Sequence, residues 1–119
     1  MCGLAGIYNP KGVEQESLKK MTGSIAHRGP DAEGFFIHNN FGLAHRRLSI
    51  IDLSDAANQP MQSSCGRYQM VFNGEVYNHQ EIAEELGCTR KTTSDTEVIL
   101  EAFVKWGPSM VSKLNGMFT

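Results

Sequence analysis

Residues 34–45, Gly-Phe-Phe-Ile-His-Asn-Asn-Phe-Gly-Leu-Ala-His, decide how the first part of the chain folds. The runs 34–38 and 41–45 are rich in residues that favour strands, and Asn39-Asn40 between them can form a two-residue hairpin turn. A connection of that length joins antiparallel neighbours. The segment therefore predicts a hairpin and an antiparallel sheet.

The sequence before this hairpin carries one strand signal and one helix signal. Gly3–Tyr8 is a short apolar run that a Pro- and Gly-containing turn ends, which predicts a first strand. Leu18, Met21 and Ile25 fall on one face of a helix. We expect that helix from about residue 14 to residue 26.

The second half of the chain predicts one more strand and two more helices. The run 68–72, Tyr-Gln-Met-Val-Phe, is typical of a strand. Start and stop signals bracket a short helix over residues 78–87. Ser94 with Glu97 three residues later has the sequence of a capping box, which predicts a helix through Trp106.

Length and composition bound the class of protein. The 119 residues suit one small domain or part of a larger one, and 40% hydrophobic with 20% charged residues are typical of a globular chain. Eleven Lys and Arg residues against thirteen Asp and Glu residues give a formal charge of -2. The basic residues are scattered along the chain, which argues against nucleic acid as a partner.

Apolar runs and cysteines indicate the compartment. No run approaches the roughly 20 apolar residues that span a bilayer, and no signal-peptide core is visible at the start. We therefore expect a cytoplasmic protein without a membrane partner. Cys2, Cys65 and Cys88 have neither a CxxC nor a paired spacing, so we expect reduced thiols rather than disulfides or a zinc site.

Several other residues have a structural interpretation. His27 and His45 have no second ligand at a recognised spacing, so no metal site is predicted. Met61, Met70 and Met110 are interpreted as core residues. No glycine-rich phosphate-binding loop is present, so we expect no cofactor and no ATP site in this chain.

Cys2 is a candidate nucleophile. If the initiator Met is removed, the α-amino group of Cys2 lies next to its own sulfur, and an α-amino pKa of about 7.7 to 8.0 suits it to accept the thiol proton. Nucleophile and base would then belong to one residue. Taken alone, a cysteine at position two is more often an ordinary thiol.

Five motifs that occur in order resemble those of a known enzyme family. They identify the chain as similar to the N-terminal glutaminase domain of glutamine-dependent asparagine synthetases, class II amidotransferases of the N-terminal nucleophile superfamily. The resemblance runs from Met1 to about Phe118. The motifs are Met-Cys-Gly-Leu-Ala-Gly-Ile at 1–7, His-Arg-Gly-Pro-Asp at 27–31, Ala-His-Arg-Arg-Leu-Ser-Ile-Ile-Asp-Leu at 44–53, Val-Phe-Asn-Gly-Glu-Val-Tyr-Asn at 71–78 and Ser-Asp-Thr-Glu-Val at 94–98.

The resemblance implies a set of site residues. It makes Cys2 the nucleophile, and the Asn73 side-chain amide with the Gly74 backbone N–H the oxyanion hole. It assigns the α-carboxylate of glutamine to Arg47, whose guanidinium can donate two hydrogen bonds to it. The remaining implied contacts are Asp95 and Glu75 with the α-ammonium group, and Leu48, Ser49, Ile50 and Ile51 along the pocket wall.

Four of these residues have a simpler interpretation when the resemblance is set aside. Asn73-Gly74 favours a type I′ hairpin turn. Arg47 could be a solvated cation beside Arg46. Asp95 in the first turn of a helix favours the helix macrodipole, a role that can coexist with substrate binding.

The resemblance also implies fold and chemistry. The expected fold is α+β, an αββα sandwich of antiparallel sheets, and residues 1–119 would be a partial glutaminase domain that is truncated at its C-terminus. The domain would hydrolyse glutamine to glutamate and ammonia through a Cys2 thioester. A C-terminal synthetase domain, absent from this chain, would use ATP and Mg²⁺ to make asparagine from aspartate; a homodimer is left open.

Two alternatives remain. The chain could be the glutaminase domain of another class II amidotransferase, which amidates a sugar or another acceptor. Those families typically carry an aromatic residue at the position of Leu48. The chain could also be a non-catalytic fragment that only binds a partner, in which case its function would not depend on Cys2.

Overall fold

A computed structural model describes residues 1–50, 52–87 and 89–119. Helices and antiparallel sheets are combined in it, which confirms the predicted α+β class. Ile51 and Cys88 lie outside the described residues. The strands are β1 (Gly3–Tyr8), β2 (Ala32–His38), β3 (Phe41–Arg47), β4 (Met61–Gln62), β5 (Gln69–Met70), β6 (Gly74–Val76) and β7 (Gly116–Phe118), and the helices are α1 (Gln15–Ser24), α2 (His79–Leu86) and α3 (Asp95–Trp106).

The first three strands form one antiparallel sheet in the order β1-β3-β2. The predicted hairpin is confirmed, since β2 and β3 pair directly and Asn39 takes the positive φ of 51° that a tight turn requires. Both strands extend beyond the predicted runs, to Ala32 and Arg47. β1 pairs with β3 so that Gly3 lies opposite Arg46. The first residues of the chain therefore lie beside the end of β3.

Helix α1 packs on this sheet with a different face from the one predicted. Leu18 and Thr22 are fully buried, whereas Met21 is 37% exposed, so the predicted place of Met21 in the buried stripe was wrong. Thr22 can be buried because its hydroxyl donates to Glu33 Oε1 at 2.8 Å, which satisfies its polar atom, and lies 3.1 Å from the Leu18 carbonyl oxygen. Leu18 completes a small core with Ala5 and Ala44.

Helices α2 and α3 pack around the larger core, to which β6 contributes Val76. Both predicted helices are confirmed, and Gly87 ends α2 in the left-handed conformation with φ 63°. Ser94 caps α3 by accepting from the Thr96 N–H at 3.2 Å. The reciprocal half of the capping box is absent in the structure, because Glu97 accepts from the Thr92 N–H and hydroxyl in the preceding loop instead.

The segment that joins the two halves departs from the predicted pattern. Of the predicted strand over residues 68–72, only Gln69–Met70 pairs, with β4. The type I′ turn interpretation of Asn73-Gly74 was wrong, because Gly74 begins β6 and pairs with Phe118 on β7. Gly74 lacks a side chain for a close approach, since a Cβ there would lie 2.5 Å from the Phe118 Cα. In the described ranges, no helix is long and apolar enough to cross a bilayer.

Gly34 provides a test of how closely strand β2 packs against the segment that contains Gln59. A Cβ on Gly34 would overlap the Gln59 backbone carbonyl, whereas a Cβ on Gly23 in α1 would meet nothing within 4 Å. We predict that Gly34→Ala lowers the free energy of unfolding by about 1–3 kcal/mol, as overpacking does. Gly23→Ala should leave it unchanged or raise it by up to about 1 kcal/mol, because alanine favours helix. Urea denaturation of both variants measures the difference, and equal stabilities would contradict the close approach.

Candidate functional site

A cavity of about 200 Å³ lies where the first sheet meets β6 and the start of α3. The chain start and the end of β3 form one wall, and β6 with the first turn of α3 forms the other. We call it the site cavity. Its lining residues are Met1, Cys2, Arg47, Leu48, Ile50, Asp52, Ala57, Gln59, Phe72, Asn73, Gly74, Glu75, Ser94, Asp95, Thr96 and Met117.

The Cys2 thiol lies half-buried in the site cavity next to the residue after β3. Its Sγ accepts from the Leu48 N–H at 3.3 Å and lies 3.6 Å from the Leu48 carbonyl oxygen. Arg28 donates from Nε to the Cys2 carbonyl at 3.0 Å. The sulfur and the backbone carbonyl of Cys2 are thus both hydrogen-bonded, which fixes the position of the sulfur. Arg28 belongs to the second motif, but the sequence assigned it no role.

The Gly74 N–H points away from β7. Asn73 and Thr119 exchange both backbone hydrogen bonds, at 3.0 and 2.9 Å, so the next pair, Gly74 with Phe118, is a non-hydrogen-bonded pair. The Gly74 and Val76 N–H groups therefore lie on the opposite edge of β6. The Val76 N–H on that edge donates to Asp95 Oδ2 at 3.0 Å. Among the described residues, the Asn73 side-chain amide has no hydrogen-bond partner.

Arg47 is buried at the other end of the site cavity, with 8% of its surface exposed. Nη1 donates to the Ser54 carbonyl at 2.8 Å and to Asn58 Oδ1 at 2.7 Å, and Nη2 donates to the Asp52 carbonyl. The alternative of a solvated cation was therefore wrong. A buried guanidinium needs several acceptors, and the loop after β3 supplies them.

Asp95 is the acidic residue that faces this cavity from α3. It is 4% exposed, and one of its carboxylate oxygens accepts from Val76. Glu75 also lines the cavity but is exposed to solvent. A buried cation and a buried anion therefore border the same space, with a second carboxylate at its mouth. This arrangement complements a zwitterion.

The structure places two of the four predicted wall residues in the cavity. Leu48 and Ile50 line it. Ser49 does not, because its backbone N–H donates outward to Asp31 Oδ2 at 2.7 Å. Ile51 falls outside the described residues.

Comparison with known proteins identifies the family. A family model described as a glutamine amidotransferase domain matches residues 1–119. The chain belongs to this glutamine amidotransferase domain family. It is 42% identical to asparagine synthetase [glutamine-hydrolyzing] 1 of Bacillus subtilis and 38% identical to asparagine synthetase B [glutamine-hydrolyzing] of Escherichia coli, each over 99% of this chain. It is also 40% identical to amidase chry2 of Gibberella zeae, over 99% of this chain.

These findings confirm the resemblance that the five motifs indicated. This chain covers 20% of the Bacillus subtilis relative, 22% of the Escherichia coli relative and 20% of the Gibberella zeae relative, so each relative is about five times as long as the chain.

Asp52 is a site residue that sequence reasoning missed. Its Oδ1 accepts from the Ser54 N–H and hydroxyl, and its Oδ2 accepts from the Thr93 N–H at 2.8 Å and from the Thr93 hydroxyl. The Ser54 hydroxyl, with the other donors, holds the pKa of this carboxyl far below its usual range. Asp52 thus ties the Arg47-bearing loop to the residues before α3. It lies in the third motif, but a single loop aspartate carries no local signal for such a contact.

The two histidines that the sequence interpreted as structural differ in the structure. His27 is exposed, whereas His45 is 1% exposed and its Nε2 lies 3.1 Å from the Phe72 carbonyl oxygen. Burial lowers the pKa of His45, and the charge of Arg47 lowers it further, against the raising effect of the Phe72 contact. Within the described ranges, no group of three His, Cys, Asp or Glu residues is placed to hold a metal ion.

His45 predicts how the stability of the amidotransferase domain depends on pH. Because its folded pKa lies below the ordinary value of about 6.5, the unfolded chain binds a proton there first as the pH falls. Its contribution to stability is therefore complete above about pH 6.5 and is lost as the pH falls through the folded pKa. Urea unfolding between about pH 5 and pH 8 should show this slope in the native chain.

The matched variants are His45→Gln and His38→Gln. His45→Gln should flatten the slope below about pH 6.5. His38→Gln replaces an exposed histidine and is the control for the substitution itself. An equal slope in the native chain and in His45→Gln would show that the pH dependence arises elsewhere.

Proposed function

We propose that this domain hydrolyses the side-chain amide of glutamine through a Cys2 thioester. The supporting observation is that one cavity contains the Cys2 sulfur, the outward edge of β6, and the buried pair Arg47 and Asp95. A nucleophile, backbone donors and charges of both signs are what hydrolysis of an amino-acid amide requires. The site residues and their roles below belong to this proposal.

The reaction has two steps. Cys2 Sγ attacks the side-chain carbonyl carbon of glutamine, and the thiol proton passes through the α-amino group to the departing nitrogen, which leaves as ammonia. Water then attacks the thioester carbonyl, the carbon–sulfur bond breaks, and glutamate leaves while the thiol regains a proton. In both steps the carbonyl oxygen gains negative charge, which the Asn73 side-chain amide and the Gly74 N–H stabilise.

The base in this mechanism requires removal of Met1. While Met1 is present, the Cys2 nitrogen is part of a peptide bond and cannot accept a proton. Met1 is 72% exposed, so the first peptide bond is accessible for processing. Met1 also lines the site cavity, and its removal both frees the amine and opens the cavity next to the sulfur.

The charged groups determine the substrate. Arg47 binds the α-carboxylate of glutamine, and Asp95 with Glu75 binds the α-ammonium group, while Leu48 and Ile50 line the wall. Asp95 has one carboxylate oxygen engaged by Val76, which leaves the other to receive the ammonium. The cavity therefore favours a neutral amino acid bound by both of its backbone charges.

In the longer protein, we propose that the ammonia is used by a second domain. The relatives named as glutamine-hydrolysing asparagine synthetases support a C-terminal synthetase domain that converts aspartate to asparagine with ATP and Mg²⁺ in the cytoplasm. On this proposal residues 1–119 are part of the glutaminase domain. The Gibberella zeae relative is named an amidase, and hydrolysis of an amide is the reaction proposed here for this domain.

A glutamine analogue with a diazoketone warhead tests the nucleophile. We predict that intact mass shows loss of Met1 and a single adduct on the native chain, and no adduct on Cys2→Ala. Cys65→Ala is the matched control, because Cys65 is exposed and the Ser63 hydroxyl lowers its pKa, which makes it the better target for non-specific alkylation. Retained Met1, or equal labelling of Cys2→Ala, would contradict the mechanism.

Asp95→Asn tests the substrate contact with little change in shape. The Asn oxygen can still accept from Val76, but the negative charge is lost. We predict that KM for glutamine rises about 10- to 100-fold, as expected for loss of a charged hydrogen bond, with a smaller change in kcat. Glu85→Gln changes an exposed carboxylate of α2 that does not line the site cavity, and it should behave as the native chain. A KM within twofold of native would remove Asp95 from the substrate site.

A further inference from the structure

The backbone of Phe72, the residue before Asn73, is held by two buried side chains, one at its carbonyl and one at its N–H. The His45 Nε2 lies 3.1 Å from the Phe72 carbonyl oxygen, and Gln59 Oε1 accepts from the Phe72 N–H at 2.6 Å. His45, Gln59 and Phe72 are all less than 9% exposed. We call this arrangement the Phe72 bracket. Neither His45 nor Gln59 has a role in the mechanism described above.

The bracket determines the tautomer of His45. A carbonyl oxygen can only accept, so His45 must carry its proton on Nε2. His45 Nδ1 is buried without a partner among the described residues, and a proton there would be a buried donor with nothing to bind. The neutral ring with Nε2–H is therefore the state that fits the site.

The bracket also determines the orientation of the Gln59 amide. Its oxygen faces the Phe72 N–H, and its Nε2 donates to the Thr96 hydroxyl at 3.3 Å. Thr96 lies in the first turn of α3, next to Asp95. Gln59 thus connects the segment before β6 to the helix that carries the buried carboxylate.

The peptide unit between Phe72 and Asn73 is held at its nitrogen end as well as at its oxygen end. The Phe72 carbonyl and the Asn73 N–H belong to one planar peptide, and the Asn73 N–H donates to the Thr119 carbonyl at 3.0 Å. His45 holds the oxygen end of that plane, and Thr119, the residue after β7, holds the nitrogen end. Loss of the His45 contact would let the plane tilt, and the Asn73 side chain would move with it.

We propose that His45 and Gln59 are positioning residues that act through Asn73, holding its side-chain amide and the Gly74 N–H where the oxyanion forms. This inference rests on the proposed function, which assigns those two donors. Hydrogen-bond donors stabilise developing charge only when they are held in place beforehand. The bracket supplies that restraint from strand β3, which carries His45, and from the loop that carries Gln59.

A double-mutant cycle measures the coupling. His45→Met removes the Nε2–H donor and fills its place with an apolar side chain. His45→Gln supplies a side-chain N–H that can reach the same Phe72 carbonyl. We expect His45→Met to lower kcat for glutamine hydrolysis about tenfold with KM within twofold, and His45→Gln to recover most of that loss. Gln59→Met should behave like His45→Met.

The background variant Asn73→Ala separates positioning from general damage. If His45 acts through Asn73, then adding His45→Met to Asn73→Ala should lower kcat by less than twofold further. A full tenfold further loss would overturn the positioning role. His38→Met, on an exposed histidine of the first sheet, is the control for replacement of a histidine.

NMR spectra test the proposal without a measurement of catalytic rate. The native chain should show the Nε2–H tautomer at His45, slow exchange of the Phe72 amide that becomes fast in Gln59→Met, and an Asn73 side-chain amide signal that shifts or broadens in His45→Met. An Nδ1–H tautomer, or an unchanged Asn73 signal, would overturn the proposal. A native chain that neither hydrolyses glutamine nor reacts with its diazoketone analogue would contradict the proposed function, while these spectra would still test the bracket.

Discussion

The register of β1 against β3 is the constraint on which the site depends. Gly3 lies opposite Arg46, so the residue before β1 and the residues after Arg46 meet at one end of the sheet. This meeting places the Cys2 sulfur against the Leu48 N–H and brings Arg47 to the same cavity. A slip of one residue would exchange the faces of β1 and turn the buried Ala5 outward. The small core around Ala5 therefore also sets the position of the candidate nucleophile.

The opposite wall depends on a second register, that of β6 against β7. Asn73 and Thr119 form the hydrogen-bonded pair, and this alternation turns the Gly74 N–H away from β7 and toward the edge that faces Asp95. Gly74 must be glycine because β7 approaches it so closely that a Cβ would lie 2.5 Å from the Phe118 Cα. Close packing against β7 therefore explains why residue 74 is glycine. The two registers together bring a thiol, backbone donors and a buried carboxylate around one cavity.

Local sequence signals predicted the helices, the hairpin and most of the strands. Where the structure departs from these predictions, contacts between residues distant in sequence are the reason. Asn39-Asn40, Ser94 and Gly87 each act on neighbouring residues, and each behaves as predicted. Asn73-Gly74 has an equally strong local turn signal, but its partner strand lies more than forty residues later, and that pairing overrides it. The site residues came from the motif resemblance. Gln59 was missed because one polar residue in a loop carries no pattern.

The loop after β3 shows how a buried charge constrains the sequence around it. Arg47 is desolvated, and its compensation comes from the Asp52 and Ser54 carbonyls and the Asn58 side chain, which together shape residues 52–58 around the guanidinium. The Asp52 carboxylate then anchors the same loop to Thr93 before α3. Removal of the Arg47 side chain would leave these acceptors without a donor and loosen the cavity wall as well as the proposed site for the α-carboxylate. For this reason Asp95, which has one backbone partner, is a better position than Arg47 at which to test the proposed substrate contacts.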